Sequence, residues 1–593
     1  MPENLNYIDW GIIALYFVLS LIVGLWSSKK AGESSTEFFL SGRGMPWWLL
    51  GFSMVATTFS IDTPNLIADI VRQNGVAGNW VWWAFLLTGM LTVFIYSKLW
   101  RRSQVMTDIE FYELRYSGKG AAFLRGFRAI YLGVFFNVTI MASVTLAAIK
   151  VGGIMLGLSP IQVILIAGGI TVIYSSLGGL MGVLLTDFVQ FIIAMIGAVI
   201  AAYISLGHVK VGGLQKLLSN DAIKGKLSFL PDFNNWEAAL MVFIIPIAIQ
   251  WWSVWYPGAE PGGGGYIAQR MLAAKDEKHA MGATLFFNFA HYALRPWPWI
   301  IVALCSILVF PTLTDIQKAF PHVDPSIIGH DMAYPAMLTY LPNGILGIVI
   351  ASLIAAYMST MSTSLNWGAS YIVNDFYKRF LKPEASEKEL VRIGRYSILV
   401  MMILASSFAL FLESALHGFN VLLQIGAGTG LLFILRWFWY RINPASEITA
   451  MIVSFVIAII FLFVKTFNTY QQLLIGVFIT TIAWIIVTLI TKPSDMNTLV
   501  KFYKLVTPGR TGWNKVIAYA KENGIAISSE EQRSVLPLGI IGMLIGCIAV
   551  YSFLFAIGYW VYMQIVPALL LTISTAIFSI LLFVVWNKIN QTK

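Results

Sequence analysis

Charge is the first thing this sequence has little of. Asp, Glu, Lys and Arg make up 11% of its 593 residues, against about 25% in a soluble domain, which excludes an ordinary water-soluble fold. Cysteine is almost absent. Cys305 and Cys547 are the only two, each inside an apolar run, so no disulfide framework is implied. The six histidines show no ligand spacing with acids or cysteines, which argues against a zinc-type centre. No nucleophile–base motif stands out, although Asp62 and His291 could meet in space, so an enzyme is not expected. Signal-peptide features are missing as well. The opening MPENLNYIDW has no basic start, and Ile8–Ser27 reads as a retained helix.

What is there is hydrocarbon. The chain is 58% hydrophobic with a mean hydropathy of +0.75, the composition of an all-α polytopic membrane protein. At about 20 apolar residues per crossing, about fifteen spans are expected. They lie near 8–27, 46–71, 79–99, 127–155, 161–178, 184–204, 236–256, 281–310, 342–372, 391–412, 416–438, 447–465, 471–489, 536–558 and 565–586. The net charge of +10 would suggest nucleic acid in a soluble protein. Here the bases fall in loops, where they set topology, so the lipid bilayer is the partner and nucleic acid is not. If the spans alternate, Lys29/Lys30/Arg43, Arg101/Arg102/Arg115/Arg125, Arg270/Lys275/Lys278, Lys378/Arg379 and Arg436/Arg441 share one side with the loop 490–535. That side is expected to be cytoplasmic, with the N-terminus outside and the C-terminus inside a plasma membrane, a bacterial inner membrane by preference. The loop 490–535 mixes apolar and basic residues and is expected to lie along the membrane surface.

Two spans are interrupted. In GFSMVATTFSIDTPNLIADIV, Ser60, Asp62, Thr63, Pro64 and Asn65 separate two apolar stretches. In FIIPIAIQWWSVWYPGAEPGGGGYIAQR, Pro257, Gly258, Pro261 and Gly262–Gly265 cannot continue a helix. Non-helical backbone at membrane depth survives only where it lines a cavity or is buried in protein. Five spans follow from each break, giving units 46–204 and 236–438. An odd number per unit inverts the second, which is the trace of an inverted-repeat transporter. The remaining segments are an N-terminal helix and loop over 1–45, an outer loop over 205–235, two helices over 439–489, the polar loop 490–535, and two more helices over 536–593.

Polar residues then mark the site. Ala356, Ser359, Ser362, Thr363 and Asn366 fall at i, i+3, i+6, i+7 and i+10, so they share a helix face, and Thr360 borders it. Hydroxyl oxygens are hard ligands for a small alkali cation; the other reading is helix glue, with Ser and Thr bonded back to their own helix or across to a neighbour. Asp62, Asp69, Asp187, Glu260 and Arg295 lie in or beside spans, where charge is costly and usually functional. Asp187 also fits an ordinary acid at the start of its helix. Asn288, His291, Tyr292 and Arg295 form an i, i+3, i+4, i+7 stripe that either faces a cavity or packs in the bundle. Trp80, Trp82, Trp83, Trp251, Trp252, Trp255 and Tyr256 belong to an interfacial belt or to a stacking wall for a solute.

Three separated motifs, YFVLSLIVGLWSSKKAGESSTEFFLSGRGMPWWLLGFSMVATTFS, YSSLGGLMGVLLTDFVQ and IAAYMSTMSTSLNWGASYIVNDFYKRF, resemble the sodium/solute symporter family over roughly residues 8 to 490. The resemblance implies a LeuT-type five-plus-five inverted repeat with extra flanking helices and sodium as the coupling ion, without an organic cofactor. It implies a first sodium site from carbonyls of Ala56, Phe59 and Ala356 with the hydroxyls of Ser359 and Thr360. It implies a second from Ser359, Ser362, Thr363 and Asp187. The solute region matches Thr58, Ser60 and Thr63. The sialic-acid symporters place an arginine where this chain has Asn137, and Gly264-Gly265-Tyr266 is unlike the galactose symporters, so no solute is transferred. Asp62, Glu260, Asn288, His291, Arg295 and Gln424 complete the expected solute contacts. Acid plus aromatic suits a sugar or sugar derivative. An organic acid, amino acid, osmolyte or cationic ligand is the alternative, and a channel or transporter-like sensor is the rival of another class.

Overall fold

The structure, a computed structural model, describes residues 5–256, 259–321, 323–325, 328–412, 420, 422–464, 466–528 and 536–591. Pro257, Gly258 and the first residues of the expected span 416–438 therefore lie outside the described residues.

Twelve helical segments among the described residues are long and apolar enough to cross a membrane. Three of the fifteen expected crossings miss that length for reasons the backbone makes plain. The helix Trp47–Thr58 (α2) and the helix Asp62–Asn74 (α3) are the halves of the first broken span, 12 and 13 residues long. The segment Pro160–Gly207 counts once but bends at Gly179, inside the helix Gly169–Gly207 (α5), where φ is 54° and ψ −159°. A Cβ there would stand 2.8 Å from the Phe38 carbonyl, so only glycine permits the fold-back. The span ending near 438 is partly outside the described residues.

The first break is short. Phe59 leaves the helix at φ −88° and ψ 88°. The Ser60 amide, which a continuing helix would give to Ala56, donates instead to Thr63 Oγ1 at 3.2 Å. Pro64 then sits in the first turn of α3, where its missing N–H costs nothing. The second break is longer. The chain leaves the helix Trp251–Ser253 and resumes as the nine-residue helix Gly265–Ala273 (α6). Its extended backbone pairs with the break near residue 427: Trp255 N–H donates to the Gly426 carbonyl at 3.2 Å and Gly428 N–H to the Ser253 carbonyl at 2.8 Å. Two interrupted spans thus satisfy each other's polar backbone inside hydrocarbon.

Around these breaks pack the helix Glu277–Phe289 (α7), which runs through a π turn, Ala290–Leu294, into Pro296–Val309 (α8), and the long helix Ile345–Ser370 (α9). Within the loop 490–535 the described residues form the helices Met496–Val506 (α10) and Asn514–Glu522 (α11), which pack on protein. Phe502 and Trp513 stack on each other, the Arg115 guanidinium lies 5.4 and 4.7 Å from their ring centres, and Trp513 Nε1 donates to the Trp437 carbonyl at 2.9 Å. Arg115 is therefore a buried anchor as well as a base of that end. Of the last two helices, Leu536–Val561 (α12) lays Gly542 and Gly546 on Phe94 and Met90, while Ile565–Gln591 (α13) leaves most of its apolar side chains exposed.

Candidate functional site

The polar strip of α9 does not stack on itself. It meets α2, α5 and α6. Ser359 Oγ donates to Asp187 Oδ1 at 2.6 Å, and Ser53 Oγ of α2 donates to Oδ2 at 2.5 Å. Thr363 and Thr57 share a hydroxyl hydrogen bond at 2.9 Å, and Thr360 Oγ1 donates to the Thr57 carbonyl at 2.7 Å. Asn366 accepts from Gln269 at 2.9 Å. The helix-glue reading holds for Ser362, whose Oγ donates back to the Ser359 carbonyl at 3.0 Å. The others cross-link four elements around the first break, beside the backbone of Ala56, Phe59 and Ala356.

Two sequence expectations change here. Asp187 is not an acid at a helix start: it lies two turns beyond the Gly179 bend and is fully buried. Arg270 is not a loop base. It sits on α6, fully buried, with Nη2 donating to Thr363 Oγ1 at 2.7 Å and to Ser53 Oγ at 3.1 Å, and 3.9 Å from Asp187 Oδ2. A nine-residue half-helix is too short to register as a span, so its arginine reads as flanking charge. A second missed pair is Lys150 with Asp331, 2.6 Å apart and buried.

A cavity opens on the other side of α2. Thr57, Thr58, Ser60, Asp62, Thr63, Ser143, Tyr256, Tyr266, Thr360, Ser364 and Trp367 are among its lining residues, and its volume is about 110 Å³. A second chamber of about 80 Å³ shares Thr58, Thr63, Leu66 and Tyr256 with the first and adds Trp82, Phe85, His291, Tyr292 and Arg295. A cavity of roughly 150 Å³ holds a benzene molecule, so the two together admit a substituted six-membered ring. Rings line both: Tyr266 and Trp367 meet edge to face, and Phe85 stacks on Tyr256.

Four expected solute residues sit elsewhere. Asn137 braces two helices, donating to the Ser364 carbonyl at 2.6 Å. Glu260 folds within the second break, its carbonyl accepting from Gly263 N–H at 2.8 Å, and lines neither chamber. Asn288 donates to the Thr284 carbonyl at 2.8 Å and packs on Gly89. Gln424 donates to Gln472 at 2.7 Å and lines a separate cavity with Asn74, Gly78 and Tyr470. Of the tryptophans, Trp82 reaches the second chamber, Trp80 and Trp83 are packed in protein, and Trp251 and Trp252 are half-buried.

Two spans broken at membrane depth, a polar cavity beside one of them and a hydroxyl strip behind it define a secondary transporter. The chain belongs to the sodium:solute symporter family, whose model matches residues 38–454. That makes it a multi-pass member of a family of sodium-coupled solute transporters. It is 27% identical over 478 residues to a sodium/glucose cotransporter of Vibrio parahaemolyticus, covering 77% of this chain and 85% of that one. It is 27% identical to the human sodium/myo-inositol cotransporter 2, covering 76% and 69%. A solved sodium-coupled sialic acid symporter superposes with a TM-score of 0.65 at 20% identity, covering 83% of this chain and 99% of that one, which shows the fold alone. The fold is LeuT-type, all-α, with flanking helices beyond the repeat.

Proposed function

We propose that this chain imports a small polyhydroxylated solute, a sugar or sugar derivative, together with two sodium ions by alternating access. One observation carries the reading. Thr57 and Thr58 are neighbours on the last turn of α2: Thr57 bonds the α9 strip and also lines the first chamber, and Thr58 lines both chambers. An ion that draws α2 onto α9 therefore sets the wall of the solute cavity. The glucose and inositol cotransporters among its relatives support a polyol solute.

In this reading the carbonyls of Ala56, Phe59 and Ala356 with Ser359 and Thr360 hold the first ion. Asp187, Ser359, Ser362 and Thr363 hold the second. Arg270 supports a role for Asp187 beyond structure. Other buried pairs are closer, from 2.6 Å in Lys150–Asp331 and Arg125–Asp375 to 3.5 and 3.6 Å for Glu447 with Arg436 and Arg128. Asp187 takes its short bonds from hydroxyls and keeps its guanidinium at 3.9 Å. A loosely neutralised carboxylate is what a second cation needs beside the first. The repeat units 46–204 and 236–438, an outside N-terminus and a cytoplasmic C-terminus belong to the same proposal.

Uptake into proteoliposomes tests it. An inward sodium gradient should drive accumulation, and solute should bind more tightly in sodium than in choline, with sodium affinity raised by the same factor. Reversal potentials should give two sodium ions per solute. A one-to-one ratio would remove the second site, and sodium-independent conductance would favour a channel.

A further inference from the structure

Most buried basic side chains of this bundle have their charge or their donors answered. Lys150 has Asp331, Arg125 has Asp375, and Arg128 and Arg436 approach Glu447 at 3.6 and 3.5 Å. Arg72 has no acid within 4.0 Å, but its Nε, Nη1 and Nη2 donate to His330, Ser306 and the Phe310 carbonyl. Among the described residues Arg115 has no acid at ion-pair distance and its Nη1 has no partner, yet its Nε and Nη2 donate to the Arg436 and Trp439 carbonyls, and it lines neither chamber.

Arg295 also stands over an aromatic ring, Trp299 at 5.5 Å, but unlike Arg115 it lines a chamber. It is 1% exposed, in the middle of a span, and no carboxylate of a described residue lies within ion-pair distance. Its Nε donates to the His291 carbonyl at 3.2 Å, and Nη2 lies 3.3 Å from His291 Nε2. Nη1 has no partner, and neither has His291 Nδ1. Both residues line the second chamber. The backbone is bent to place them. The π turn Ala290–Leu294 sends the Arg295 amide back five residues, to the Ala290 carbonyl at 3.2 Å, which shifts Arg295 around the helix relative to α7.

We propose that Arg295 anchors a carboxylate of the transported solute, so that this chain takes a sugar acid, a polyhydroxylated monocarboxylate, in preference to a neutral sugar. The inference rests on the symport reading above. An unmatched guanidinium at membrane depth is costly, and hydrogen bonds from neutral hydroxyls leave its charge uncompensated. A carboxylate supplies both the acceptor and the charge. The cavity is also graded in the right sense. Asp62, Ser60, Thr63, Ser143 and Ser364 line the first chamber and suit hydroxyls, whereas Asp62 does not line the second, where Arg295 stands.

The test uses the detergent-purified full chain and matched pairs that differ only in the acid: glucose and glucuronate, galactose and galacturonate, mannose and mannuronate. Melting temperature in saturating sodium reads binding. At least one uronate should bind about tenfold or more tightly than its neutral partner, the scale of one charge-assisted hydrogen bond. Arg295→Gln should bring the pair to near parity, and Arg295→Lys should retain part of the preference. If Arg295→Gln does not fold, the lysine variant and a tenfold weaker response to the uronate's methyl ester than to the free acid decide the matter. Equal binding within every pair, no uronate binding at all, or an unchanged preference in Arg295→Gln would overturn the proposal. Sodium-dependent uptake of a neutral sugar alone would sink this inference and spare the symporter reading. Sodium-independent binding of every member would sink both.

Discussion

The two sides of α2 hold charge in opposite ways. Behind it, Ser53, Thr57, Asp187, Arg270, Ser359 and Thr363 form a closed set in which every side-chain polar atom has a partner. In front of it, His291 Nδ1 and Arg295 Nη1 are buried at a cavity wall with none. Buried polar atoms are rarely left alone. The closed set is what holds the broken helix against its neighbours. The open set is what a ligand completes. In the proposed reading, a sodium ion entering behind α2 competes with existing bonds, whereas a solute entering in front meets donors already desolvated.

The largest effect is expected where the closed set is cut. Arg270→Met leaves Asp187 as an uncompensated charge in the bundle, a loss of roughly 3–5 kcal/mol. Thermal melts of purified protein should show it as a collapse in folded yield. The double variant Arg270→Met/Asp187→Leu should recover much of that yield. A single variant as stable as wild type would mean that the guanidinium does not anchor α6.

Asp187→Asn is the milder cut. It keeps an acceptor for Ser359 or Ser53 but leaves the Arg270 guanidinium without its acid, so folded yield should fall as well and transport is read per folded protein. The sodium Hill coefficient should fall toward one, and apparent sodium affinity should drop about tenfold, as expected for one lost charged contact. An unchanged Hill coefficient in flux assays would reduce Asp187 to a structural partner of Arg270.

How far the sequence shows this contrast depends on what each signal measures. Helical spacing alone places Ser359, Thr360 and Thr363 on one side, because a 26-residue apolar helix fixes their register. The breaks are equally plain, since Pro and Gly runs report backbone directly. Arg270, Arg115 and Lys150 are not legible. A base near a span end looks the same whether it meets water or a buried acid, and only tertiary packing separates the two. The bend at Gly179 hides Asp187 similarly: the expected span opens near 184, so the acid seems to start a helix that in fact continues from the bend two turns earlier. Within the stripe Asn288, His291, Tyr292 and Arg295, the inserted π residue breaks the regular spacing, and the last three reach the chamber while Asn288 does not.

That split gives the smallest expected effect, and the sharpest one for the comparison. Asn288 shares the stripe but packs its amide against Gly89, where an added Cβ would fall 1.7 Å from Asn288 Oδ1. Its Nδ2 donates within its own helix to Thr284 at 2.8 Å, and Oδ1 has no partner. Asn288→Ala therefore removes one intrahelical bond worth about 1 kcal/mol and one unsatisfied acceptor whose loss is favourable by a similar amount. Stability should move by less than about 1 kcal/mol, and apparent solute affinity by less than about twofold, since a neutral change outside the chambers removes no ligand contact. Asp62→Asn, an isosteric change on the cavity wall, should weaken solute binding about tenfold through the lost charge-assisted acceptor. The two variants measured side by side in sodium-driven uptake separate a polar stripe that lines the cavity from one that merely points along it. A tenfold loss in Asn288→Ala with Asp62→Asn near wild type would place the solute against α7 and Gly89, and would move the open set away from the chambers at α2.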